Sequence, residues 1–230
     1  VTEGQATYVL SESVTAPDRE AWFALPAGFT TLPLDALTAS SGSADASSSG
    51  SADASRLREV VDGILDGAPD GVVRQRLIGQ LAGAQRMMLA LREEGVVHCS
   101  LGLHRDDDGD GRVLTSFFTF RWQDISRAPR HLTAARAVAA GHEHVEVLDL
   151  PCGPAALGEV ARTVAPDLGL PVERLLQIHA YLPHPDGSRL VVLSLTTPAP
   201  GRRSHYRAML RDVAAHVSFD DPLVHLRTNV

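Results

Sequence analysis

The stretch from Leu175 to Phe219 constrains the chain most. Gln177 to Leu182 alternates apolar and polar residues, Pro183-His184-Pro185-Asp186-Gly187 turns the chain, and Leu190 to Leu195 forms a second apolar run. Alternation interrupted by a Pro- and Asp-Gly-containing turn specifies two antiparallel strands. Past Pro198 and Pro200, the residues Tyr206, Met209, Leu210, Val213 and Val217 recur at helical spacing. The predicted unit is strand, turn, strand, helix. It defines a fold and carries no reaction. His184 sits in the turn and is expected to be solvent-exposed and inert.

Upstream, the period of two recurs. Val97, Cys99, Leu101 and Leu103 alternate with His98, Ser100, Gly102 and His104. Residues 106 to 111 form a turn, and alternation resumes from Val113 to Trp122. This is a second hairpin with one face buried more heavily than the other. Arg130 to Ala140 is an Ala-rich short helix. Val145, Val147 and Leu148 make a strand closed by Pro151 and Gly153. Residues 154–164 are rich enough in Ala for helix, but Val160, Arg162 and Val164 alternate, which favours strand.

The segments before Val96 read differently. Residues 1–37 hold Tyr8-Val9-Leu10 and the aromatic pair Trp22-Phe23. Pro26 and Pro33 restrict them to an edge or extended segment laid on the core. Residues 38–55 repeat SGSADAS and hold no large apolar side chain, so they form a flexible loop. A helix is predicted from Arg56, with Leu57, Val60, Val61, Ile64 and Leu65 on one face and Gly67-Ala68-Pro69 as its end. A second is capped by Asp70 and ends at Gly95. Gly79 and Gly83 inside it each cost about 1 kcal/mol relative to Ala.

The expected class is therefore α+β: a single antiparallel sheet of about six strands with helices packed on it. Residues 1–37 form an extended segment, 38–55 a loop and 56–230 the main body of one domain. Two hundred and thirty residues are enough to bury a core without disulfide or metal staples.

Composition narrows function mainly by exclusion. The net charge of −7 and the lack of a basic run with interleaved aromatics argue against a nucleic-acid platform. No apolar run approaches the ~20 residues of a membrane span. Val1 is what a GTG start codon gives when translated literally, and no secretory signal follows it, so the expected location is cytoplasmic. Cys99 and Cys152 are the only cysteines, without metal-ligand spacing. They are expected to be reduced, with a single disulfide as the alternative.

Few residue patterns carry chemistry. Asp106, Asp108, Asp110 and Gly111 match the first half of an EF-hand loop, but Phe117 stands where calcium needs a bidentate Glu. A turn of solvated carboxylates is the better reading, with weak Ca²⁺ binding as the lesser one. His142 and His144 could form an HxH metal pair on one side of a strand, with His98, His104 or His179 as a third ligand. Surface histidines at a strand entry are the plainer reading. His98 and Cys99 are strand neighbours on opposite faces and cannot act as a dyad. Cys152, in Pro151-Cys152-Gly153-Pro154, is structural or an exposed thiol. No G-x-S-x-G, P-loop or G-x-G-x-x-G occurs. No catalytic, cofactor-binding or metal-binding residue is assigned, and no cofactor is expected.

Three segments carry a resemblance. Trp22-Phe23-Ala24-Leu25-Pro26-Ala27-Gly28-Phe29 is similar to a family opening with a Pro-Gly-aromatic lead-in. Val191 to Thr197 is similar to a hydrophobic strand ending in Leu-Ser/Thr-Thr, and Tyr206 to Phe219 to a terminal helix with a Ser-Phe exit. About half of the chain thus resembles the PsbP-like or Mog-type fold, and within it actinobacterial LpqN-type proteins. The resemblance implies a sandwich of sheet and helices and a non-catalytic protein-binding or assembly factor. The setting it implies is an accessory or immunity-type role in an actinobacterial secretion or toxin system. LpqN-type proteins usually carry a lipoprotein signal, from which this chain departs. A small-molecule or lipid-binding domain, with a cavity between the sheet and the helix of residues 70–94, and a metal-dependent hydrolase using His142 and His144 are the alternatives.

Overall fold

The computed structural model describes residues 8–10, 21–32, 34, 71, 75, 91–106, 111, 113–139, 141–163 and 174–220. The two helices expected between Arg56 and Gly95 and the loop 38–55 lie almost wholly outside these residues.

Two compact units form. One comprises Val1–Thr30 and Ser100–Val230, the other Thr31–Cys99. In the second unit, residues 91–93 close a helix and Gly95 turns the chain at φ +80°. Cys99 is fully buried there, its thiol directed at the Leu32 carbonyl.

The strands are β1 (Tyr8–Leu10), β2 (Ala24–Pro26), β3 (Phe29–Leu32), β4 (Val96–Arg105), β5 (Val113–Asp124), β6 (His144–Leu150), β7 (Gly153–Thr163), β8 (Arg174–Pro183) and β9 (Arg189–Thr197). Helix α1 spans Arg130–Val138 and α2 spans Arg203–Ala215. β1 and β2 pair with each other. The remaining seven strands form an antiparallel sheet in the order β3-β4-β5-β9-β8-β7-β6. Among the described residues the sheet has seven strands, not six. The extra one is β3, too short and too close to Pro26 and Pro33 to show an alternation of its own. Residues 154–164 resolve as strand over Gly153–Thr163.

The predicted hairpin is β8–β9, in register from Leu176↔Thr197 to Pro183↔Leu190. Gly187 sits at φ +73° in its turn, where a side chain would be strained. β9 also pairs with β5, from Phe117↔Thr196 to Asp124↔Arg189. It thereby joins the meander β6-β7-β8-β9 to β3-β4-β5. A strand covered on both edges and facing a helix must be apolar nearly throughout, as Leu190-Val191-Val192-Leu193 is.

The two helices lie on opposite faces. α2 buries Tyr206, Leu210, Val213 and Ala214 against the core of Leu157, Ile178, Leu193, Leu195, Phe118 and Phe120. Phe23 stacks on Phe120 at 5.1 Å, and Trp22 bridges to Ser218, so the N-terminal segment is laid on this core. α1 covers the other face of β7 and β8, with Ala134 and Val138 against Ala156 and Tyr181.

Candidate functional site

On the α1 face, strand register aligns Thr119, Ser194, His179 and Gly158 in one row. His142, in the loop after α1, fills the space that Gly158 leaves. A Cβ there would collide with its ring. His142 Nδ1 lies 3.2 Å from the Val138 carbonyl, so it must carry the proton and donate. Nε2 then accepts from the Tyr181 hydroxyl at 3.2 Å. His179 shares a 2.8 Å hydrogen bond with Ser194 Oγ, and its ring is 5.8 Å from that of His142. Burial lowers the His179 pKa to about 4, helped by His142, Arg121 and Arg162. The imidazole is neutral at pH 7.

This cluster joins two of the histidines considered for a metal, but not in the expected way. His142 and His144 do not share a side. His144 is opposite Glu159 in the register, on the α2 face, whereas His142 lies against Gly158 on the α1 face. β6 begins only at His144, so the strand alternation that would put an HxH pair on one side does not reach His142. Among the described residues no group of three His, Cys, Asp or Glu could hold a metal ion. The Nε2 lone pair of His142 is already used by Tyr181.

The remaining candidates are mostly tied into the fold. His104 Nε2 is 3.0 Å from Ser116 Oγ on the α2 face, edge-on to Phe29. Its pKa is lowered, chiefly by burial and then by His205. Ser116 is 2% exposed, so its hydroxyl is closed off from solvent. Asp106 is not a solvated turn carboxylate. It is buried and paired with Arg202 Nη2 at 2.7 Å. The other aspartates of that turn, Asp107, Asp108 and Asp110, lie outside the described residues. His184, expected to be exposed and inert, is half-buried. It packs on Phe219 at 4.9 Å and Trp122 at 5.7 Å, with Nδ1 2.8 Å from Asp186 Oδ2. The residues that hold it come from β5 and the C-terminal exit of α2, distant in sequence. Asp186 is held below the usual carboxylate range. Its burial opposes this, but the Ser188 amide and Arg189 outweigh it.

Neither cysteine is in a disulfide. Burial pushes the Cys99 thiol up to about 12. Cys152 is half-buried and is also raised, by burial against the opposing charge of Arg130. Neither is a thiolate at neutral pH. Arg130 donates to the carbonyls of Cys152 and Pro183, bracing two turns. Beside them lies an open cleft of about 360 Å³, bordered by Cys152, His216, Ser218, Phe219 and Asp220.

One feature is an ion-pair seam with only half its signal in the sequence. Arg203, Arg207 and Arg211 recur every four residues along one side of α2. Arg203 and Arg207 clasp Glu159 at 3.1 and 2.8 Å, and Arg211 clasps Glu146 at 2.7 Å. Glu159 is 1% exposed. The arginine spacing is visible in the chain, but its partners on β7 and β6 are not.

The outer strands leave large aliphatic side chains in solvent. Leu101, Leu103 and Val113 are 38%, 51% and 67% exposed. In β4 the polar and small residues Ser100, Gly102 and His104 turn inward toward Ser116, Phe29 and Tyr206. A Cβ at Gly102 would overlap Ser116 and Phe29. From Ser100 to His104 the buried face of β4 is therefore the polar one, and its leucines point outward.

The chain matches no protein-family model, and no curated protein is significantly similar to it. No helix among the described residues is long and apolar enough to cross a membrane.

Proposed function

We propose that the chain is a non-enzymatic protein-binding or accessory factor, set in an actinobacterial secretion or toxin-immunity system as the resemblance to LpqN-type proteins implies. The observation that carries the reading is the outward aliphatic set Leu101, Leu103 and Val113. Exposed aliphatics on the neighbouring strands β4 and β5 favour a macromolecular partner. The Ser–His and His–Tyr pairs support it indirectly: each is committed to a packing or hydrogen-bonding role within the sheet. A hydrolase using His142 and His144 has less support, because the two rings lie on opposite sheet faces. The cavity required by a lipid- or small-molecule-binding domain next to residues 70–94 involves segments outside the described residues.

The test is affinity capture from the native lysate with the intact chain and with Leu103→Glu. The expected result is a specific protein retained by the former and lost by the latter, with unchanged thermal unfolding. Capture that is the same with both chains, or no specific protein with either, refutes the reading.

A further inference from the structure

A different surface points to self-association. Among the described residues β6 is the last strand of the sheet, with β7 as its one neighbour in the strand order. Its seven residues pair with β7 in unbroken register, from His144↔Glu159 to Leu150↔Gly153. Natural edge strands are usually shortened, bulged or defended by Lys or Pro. β6 has no Lys, Pro or bulge within its span, and its two carboxylates are Glu146, held by Arg211, and Asp149. Its α1 face presents Val145 at 46% and Val147 at 75% exposure.

We propose that β6 pairs antiparallel with β6 of a second copy of this chain, about a two-fold axis through Val147. Like faces meet across such an axis only when it passes through a residue, because the side-chain period is two. Centred on Val147, the register sets this valine against its copy and Val145 against Asp149 of the second copy. Charge selects the same arrangement. Val145 neighbours Gly158, over which His142 hangs from the last turn of α1. That turn carries Arg136, which is exposed. No Asp or Glu occurs between Asp124 and Glu143, so Arg136 has no acidic neighbour within α1. In a chain of net charge −7 this is a local reversal of sign. Asp149 of the second copy is set toward the α1 turn that carries Arg136, and symmetry repeats the contact. On the opposite face, Glu146 is already neutralised by Arg211, so it adds no repulsion.

One strand pair and a helix rim make a small interface, so the dimer is concentration-dependent. Sedimentation equilibrium of the full chain between about 1 and about 200 μM covers the relevant affinities. The expected result is a monomer–dimer equilibrium that Val147→Lys abolishes. Arg136→Asp should weaken it about tenfold, and Arg136→Asp combined with Asp149→Arg should restore it. Val147 is solvent-exposed, so the lysine leaves the core intact, which circular dichroism checks. A wild-type chain monomeric over the whole range overturns the proposal. So does a dimer that Val147→Lys leaves unchanged. An Arg136→Asp dimer of wild-type affinity eliminates the register about Val147.

Discussion

Lowering the pH should destabilise the fold through His179. In the unfolded chain this imidazole titrates near 6.5, and in the native sheet at about 4. The native state therefore resists a proton that the unfolded state accepts. The neutral imidazole's contribution is intact above pH 6.5, falls as the pH drops through that value, and is exhausted near pH 4. At 1.36 kcal/mol per pKa unit, about 2 kcal/mol is lost between pH 7 and pH 5, and about 3 kcal/mol by pH 3.5. The cause is burial first, then the nearby His142, Arg121 and Arg162. Urea unfolding at half-unit steps from pH 7 to pH 5 measures this before most carboxylates titrate. The comparison chain is His179→Gln, which keeps a polar group near Ser194 but cannot titrate. Its stability should depend less on pH by about 2 kcal/mol over that range. Parallel curves for the two chains would refute the reasoning, as would an imidazole resonance for His179 that titrates near 6.5.

Other substitutions probe the two helix–sheet seams. Glu159→Ala leaves Arg203 and Arg207 facing a buried void, and urea unfolding should show a loss of about 2–4 kcal/mol, tempered because Arg203 is half in water. Gly158→Ala should push His142 off the sheet and cost about 1–3 kcal/mol, with faster amide exchange along α1 but not α2. Phe118→Ala, at a fully buried position, should cost about 3–5 kcal/mol by the same unfolding assay. Iodoacetamide at pH 8 should modify Cys99 only on unfolding, because that thiol is fully buried and titrates at about 12. Mass mapping should find Cys152 modified first.

Local patterning made much of the fold legible. The β8–β9 hairpin could be read because alternation and an Asp-Gly turn are properties of neighbouring residues. The same holds for β7, where Val160 and Arg162 alternate, and for α2, whose apolar stripe runs from Tyr206 to Val213. A period of 2 or 3.6 residues is set by backbone geometry, so it survives in the chain before any tertiary contact exists. Gln177, His179 and Tyr181 could likewise be placed on one face.

What that face meets was decided by the sheet order. Insertion of β9 between β5 and β8 puts Ser194 beside His179, and placement of β7 next brings Gly158 and its overlying His142. Neither neighbour is close in sequence. Likewise Arg203 and Arg207 are spaced to hold a carboxylate, but only the descent of α2 onto β7 makes that carboxylate Glu159. In β4, a polarity rule would have buried the leucines. Instead the tight space around Gly102 and Ser116 buries the small polar face, because volume across the sheet outweighs local hydrophobicity. The period and position of the strands are written in the chain. Which face is core, and which titratable groups touch, follow from packing between segments that lie tens of residues apart.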